Sequence, residues 1–116
     1  MLKLYGLKNC DTCKKAINWL KAESIKFEFI DIRNPIPDIA TLEFWLEQAG
    51  DKLLINRRST SWRNLTDEQK SSDTKAQFLA LISQNPTLIK RPVFTNNGKI
   101  EVGFSPKNTE NLHKMA

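Results

Sequence analysis

The chain has 116 residues, of which 40% are hydrophobic and 27% charged, with 18 Lys and Arg against 13 Asp and Glu for a net charge of +5. That is enough chain for one domain with a real core, and no stretch approaches the roughly 20 apolar residues of a membrane-spanning helix. The N-terminal "MLKLYGLKNC" lacks a secretory apolar run, so a cytoplasmic protein is expected, in which two cysteines point to catalysis, redox sensing or metal binding rather than a permanent disulfide.

In chain order, "LKLY" (residues 2–5) alternates apolar and polar residues and predicts a strand ended by Gly6. Cys13, Ala16, Ile17 and Leu20 then recur at i, i+3, i+4 and i+7, which predicts a helix with Cys13 on its inward stripe and Cys10 just before or at its start. "IKFEFIDI" (25–32) has apolar side chains at both parities, which predicts an internal strand covered on both faces. These three elements make a βαβ unit with parallel strands. Prolines in "RNPIPD" break the pattern, and the next fifty or so residues read as helices and loops. Within them, Asp38 is expected to cap a helix with Ile39, Leu42, Leu46 and Ala49 inward and Gly50 as its stop. "TDEQ" (66–69) is a capping-box pattern, and Asp73 is expected to open a helix that ends before Pro86. "PVFT" (92–95) and "KIEVGF" (99–104), separated by "NNG", predict a hairpin, and Ser105 with Pro106 predicts the start of a last helix. No linker or repeat intervenes, so one domain over residues 1–116 is expected, with a helical insertion at about 36–86.

The chemistry concentrates in "KNCDTCKKA" (8–16). A cysteine attacks as thiolate, and a helix N-terminus favours an anion, so Cys10 is expected to have a depressed pKa, with Lys8 and Lys14 adding charge and Asp11 opposing. Cys13, one helical turn on, suits a resolving thiol that attacks Cys10 and releases its adduct, although a buried free cysteine is also an ordinary core residue. Zinc would need further ligands, of which His113 is the one strong candidate, so no metal is expected and His113 is assigned to the surface of the last helix. Trp19 and Trp45 are assigned to packing. The cluster Arg57, Arg58, Trp62, Arg63 is compatible with nucleic acid, with a rim of cations over a thiol site, or with surface ion pairs. The net charge points to an anionic partner.

With the elements in this order, CxxC at the mouth of the first helix and Arg91-Pro92 before the hairpin, the chain resembles the thioredoxin-like fold: α/β, βαβ then ββα around a mixed sheet. "LYGLKNCDTCKKAINWL", "RRSTSWRNL", "NPTLIKRPVF" and "VGFS" narrow the resemblance, over nearly the full length, to the arsenate reductase (ArsC) family and its YffB-like and Spx-like members. Cys13 resembles Spx, whereas "KNCDT" and "STSWR" resemble the YffB group. Of the family's three oxyanion-binding arginines, Arg91 fits, Arg57 or Arg58 fills a second place, and none follows "VGFSP".

The resemblance implies a thiol-disulfide oxidoreductase of the arsenate reductase-like class, linked to glutathione, with Cys10 as nucleophile, Cys13 as resolving thiol and Arg91 stabilising the thiolate or a bound anion. Lys8, Asn9, Thr12, Arg57, Arg58 and Pro92 would contact the substrate, and Pro92 would be a cis-proline shaping its groove. No bound cofactor is implied. Electrons would come from glutathione or a glutaredoxin or thioredoxin system, and the protein would act as a monomer without membrane or direct nucleic-acid partners. The alternative it implies is an Spx-like redox-sensing regulator that binds the RNA polymerase α C-terminal domain. A third is a binding module with vestigial thiols.

Overall fold

A computed structural model describes the whole chain, Met1–Ala116. Its elements run β1 (Leu2–Gly6), α1 (Asp11–Ala22), β2 (Phe27–Asp31), α2 (Ile39–Ala49), α3 (Asp51–Leu54), α4 (Thr60–Arg63), α5 (Asp67–Lys70) and α6 (Lys75–Gln84). After a 3-10 turn at Pro86–Leu88 come β3 (Val93–Asn96), β4 (Lys99–Val102) and α7 (Pro106–Met115). No helix is long and apolar enough to cross a membrane. The chain divides into two compact units, one of Met1–Ile32 with Arg91–Ala116 and one of Arg33–Lys90.

The first unit is a mixed sheet in the order β2-β1-β3-β4. β1 pairs parallel with β2 and antiparallel with β3, and β3 pairs antiparallel with β4. This is the α/β arrangement expected, with one correction: β2 is an edge strand, not an internal one, and none of its five residues is fully buried. Its two-sided apolar pattern reflects Phe27 and Phe29 packing against the core while Ile30 stays half-buried. β2 also starts later than the apolar run, because Ser24, at φ 56°, and Ile25, whose N–H donates to the Leu20 carbonyl, still close the end of α1. Leu2 and Leu4 of β1 and Phe94 of β3 meet Ala16 and Leu20 of α1 and Leu112 and Met115 of α7, so both helices cover one face of the sheet. Trp19 packs at the rim of this core, its ring 5.9 Å from Phe104 and 5.0 Å from His113, which in turn lies 3.2 Å from Glu23.

The hairpin forms as its turn chemistry dictates, with Asn97 at φ 51° and Gly98 at φ 79° supplying the two left-handed positions of a primed turn. β4 stops at Val102 because Gly103, at φ 87°, turns its N–H back to the Pro92 carbonyl. Pro106 begins α7 as expected, but the Ser105 hydroxyl donates to the Asn108 side chain instead of capping the backbone.

The second unit is helical. Asp38 caps α2 by accepting from the Thr41 N–H at 2.8 Å, and Gly50 ends it at φ 81°. The inward face is Leu42, Trp45 and Leu46, whereas Ile39, expected inside, is 56% exposed at the first position of the helix. Thr66 and Gln69 form the expected capping box. The cap of α6 is Thr74 rather than Asp73, since its hydroxyl accepts from the Gln77 N–H while Gln77 Oε1 accepts from Thr74. An isolated bridge between Ile55 and Ile89 ties the middle of this unit to its end.

Candidate functional site

Cys10 is the N-cap of α1, in extended conformation at φ −90° and ψ 120°. The preceding turn is held by the Cys10 N–H donating to the Leu7 carbonyl at 3.2 Å, and the helix starts with Lys14 N–H donating to the Cys10 carbonyl at 3.0 Å. A sulfur therefore stands where an oxygen usually caps a helix. It faces amides that have no helical partner, which favour an anion. The Cys10 side chain makes no cap hydrogen bond, and the Cys13 amide, in the first turn of the helix, favours its ionised form.

The two thiols, both free, are driven in opposite directions. Burial pushes the Cys10 thiol up, but hydrogen bonds from the Cys13 amide, the Cys13 thiol and the Arg91 guanidinium, together with the Arg91 charge, outweigh it and hold Cys10 below the ordinary thiol range. Burial pushes the Cys13 thiol up to about 12, and the Cys10 sulfur to which it donates adds to this, against the Leu7 N–H and the Arg91 charge. Cys13 is completely inaccessible, whereas Cys10 is partly exposed. A partly exposed thiol that ionises more readily, paired with a buried thiol that holds its proton, is the arrangement that thiol exchange needs.

Of the other residues singled out from the sequence, Arg91 reaches Cys10. Pro92 follows it through a cis peptide, as the resemblance implied, and Asn34–Pro35 is a second cis bond that no motif announced. Lys8 and Asn9 are exposed in the turn before Cys10, and Thr12 is half-buried in the first turn of α1. The groups that lower Cys10 are the Cys13 amide and thiol and Arg91. The Leu7 amide, which faces Cys13, carried no sequence signal at all.

Arg57 and Arg58 belong to the second unit. Arg57 is fixed by Asp51, to which it donates at 3.0 Å, and lies over the rings of Trp62 and Phe78, so the aromatic beside it is a packing partner. Arg63 donates to the Arg58 carbonyl at 3.1 Å. Arg57, Arg58, Lys52, Lys90 and Asn56, with Leu53 and Ile55, line a concavity of about 400 Å³, in which Arg57 is already paired with the Asp51 carboxylate.

The model of the ArsC family matches residues 5–112. A protein of Haemophilus influenzae without an assigned function is 43% identical over 107 residues, covering 92% of this chain and 94% of its own. The global transcriptional regulator Spx of Enterococcus faecalis is 31% identical over 110 residues, covering 90% of this chain and 80% of its own. Among solved structures, a YffB protein superimposes with a TM-score of 0.90 at 33% identity, over 100% of both chains.

Proposed function

We propose that this chain, which belongs to the ArsC family, is a thiol-disulfide oxidoreductase linked to glutathione, in which Cys10 is the nucleophile and Cys13 the resolving thiol. The observation that carries the reading is the split between the two sulfurs: Cys10 held low at the N-terminus of α1 beside Arg91, and Cys13 buried and pushed up to about 12. With a glutathionylated substrate, Cys10 thiolate attacks the glutathione sulfur, and the substrate leaves as a thiolate that takes up a proton. Cys13 then attacks Cys10 Sγ, the Cys10–Cys13 disulfide forms, and glutathione leaves carrying the proton that Cys13 gives up. Two further glutathione thiols reduce the internal disulfide and are released as oxidised glutathione.

The same electrostatics time the second step. In the resting pair, the Cys10 sulfur holds the Cys13 proton in place. Once Cys10 is part of a disulfide its charge is gone, and only burial still opposes ionisation of Cys13. Arg91 remains to stabilise a bound anion.

The test is turnover of a glutathionylated peptide and, separately, of arsenate, with glutathione and glutaredoxin supplied, for the native protein beside Cys10→Ser and Cys13→Ser. The reading expects activity abolished in Cys10→Ser and stalled as a mixed disulfide in Cys13→Ser. Equal activity in all three proteins contradicts it.

A second reading is favoured by the regulators among the relatives, which include MgsR of Bacillus subtilis, 27% identical over 115 residues, besides Spx. Here the cysteine pair is a redox switch that controls binding to the RNA polymerase α C-terminal domain, with no turnover. Retention of that domain by the purified protein, changing with the Cys10–Cys13 redox state, distinguishes it from the enzyme.

A further inference from the structure

Gly6 is the last residue of β1 and is buried. A Cβ built there would lie 2.6 Å from Cys13 Sγ and 3.5 Å from Cys13 Cβ, with Leu4 Cδ2 at 3.4 Å as its other near neighbour. Real Cβ atoms do not approach a heavy atom as closely as 2.6 Å. The backbone of Gly6 is not in the left-handed region that positive φ would impose, so its conformation admits a side chain and the obstacle is steric alone. The atom in the way is the sulfur at the end of a one-torsion side chain.

We infer that Gly6 is a positioning residue for the resolving step: its missing side chain is the space in which Cys13 Sγ sits, hydrogen-bonded to Cys10 and ready to attack it. The inference rests on the oxidoreductase reading and adds a residue outside the CxxC segment. Three boundaries fix the Cys13 sulfur. They are the face of Gly6 where a Cβ would stand, the Leu7 N–H and Cys10. A methyl group at Gly6 displaces the sulfur by the 0.8 Å or so that separates 2.6 Å from the 3.4 Å of an ordinary contact. The reaction is sensitive to such a shift, since the attacking sulfur must lie in line with the disulfide it opens. A misplacement on the order of 1 Å costs about 100-fold in rate.

The experiment compares the native protein, Gly6→Ala, Cys13→Ala and the Gly6→Ala/Cys13→Ala double variant. Two rates are read after mixing with oxidised glutathione: formation of the Cys10 glutathione adduct, and its decay to the Cys10–Cys13 disulfide. Gly6→Ala is expected to resolve the adduct about 100-fold more slowly, while adduct formation, which loses only part of the Cys13 thiol's support of Cys10, falls far less. In thermal melts, Gly6→Ala is expected to lower the midpoint in the native background and to be better tolerated when Cys13→Ala has removed the sulfur. A native resolving rate in Gly6→Ala overturns the inference, and so does a melting penalty that is the same with and without the Cys13 sulfur. If Cys13→Ala decays its adduct as fast as the native protein, the oxidoreductase reading itself fails, whatever Gly6 does.

Discussion

Arg91 is the one charged side chain that acts on both sulfurs, and Arg91→Met removes its charge while keeping most of its stem. A hydrogen bond to a charged group contributes about 1.5–3 kcal/mol, and because Cys10 is partly open to water the lower end applies. About 1.4 kcal/mol is a tenfold change in equilibrium, so at any pH where the thiol form predominates in both proteins the variant should hold about tenfold less thiolate. The rate of alkylation does not fall by the same factor. A less stabilised thiolate is more nucleophilic, with a Brønsted slope of about 0.4–0.5, which returns roughly threefold and leaves a net loss of about threefold. At high pH, where both proteins are fully ionised at Cys10, the order inverts and the variant reacts about threefold faster. Iodoacetamide alkylation of Cys10, followed by peptide mass from neutral to alkaline pH, reads this crossing directly. Profiles that stay parallel would mean that Arg91 governs access only, and superimposed profiles would mean that it does not act on the sulfur.

Cys13 sets a second pH dependence. Its folded pKa of about 12 lies above the value of 9.0 for a free thiol, so above pH 9 unfolding releases a proton and the folded state loses stability as pH rises toward 12. The limiting slope is about 1.4 kcal/mol per pH unit, measured as the difference in urea unfolding between native protein and Cys13→Ser, and no difference in slope contradicts the burial argument. Thr74→Ala removes the cap of α6 and is expected to cost about 1 kcal/mol, seen as a drop of about 4 °C in melting temperature. Phe94→Ala hollows the core where β3 crosses Leu4, and a loss of about 3–5 kcal/mol in denaturant unfolding is expected.

What the sequence made legible was local. The stripe of Cys13, Ala16 and Leu20, the Asn97-Gly98 turn, the Asp38 cap and the Thr66 capping box are each decided within a few residues, and each stands as read. The errors lie where distant chain decides. Whether "IKFEFIDI" is central or at the edge depends on which strand takes the second side of β1, and β3, some sixty residues later, takes it. Ile39 fits a helical apolar face by spacing, yet at the first turn of α2 it has no neighbour to bury it. The choice of Thr74 over Asp73 is a one-residue shift between two competent caps, settled by the Thr74 hydroxyl accepting from the Gln77 N–H, since Gln77 Oε1 accepts from both backbone amides. At the site, the cysteine pair and its place at a helix mouth were legible, and the partnership with Arg91 and the cis bond to Pro92 came from family resemblance. Gly6 and the Leu7 amide were not legible, because a glycine at a strand end has many uses and a backbone N–H carries no residue signature.

The division of labour between the two thiols is tested most directly by trapping. Cys13→Ser is mixed with a glutathionylated peptide, quenched with acid and examined by peptide mass. The account predicts that glutathione accumulates on Cys10 in this variant, whereas the native protein passes to a Cys10–Cys13 disulfide and frees its glutathione. An unmodified Cys10 in Cys13→Ser, or a native protein that keeps glutathione on Cys10, would contradict it.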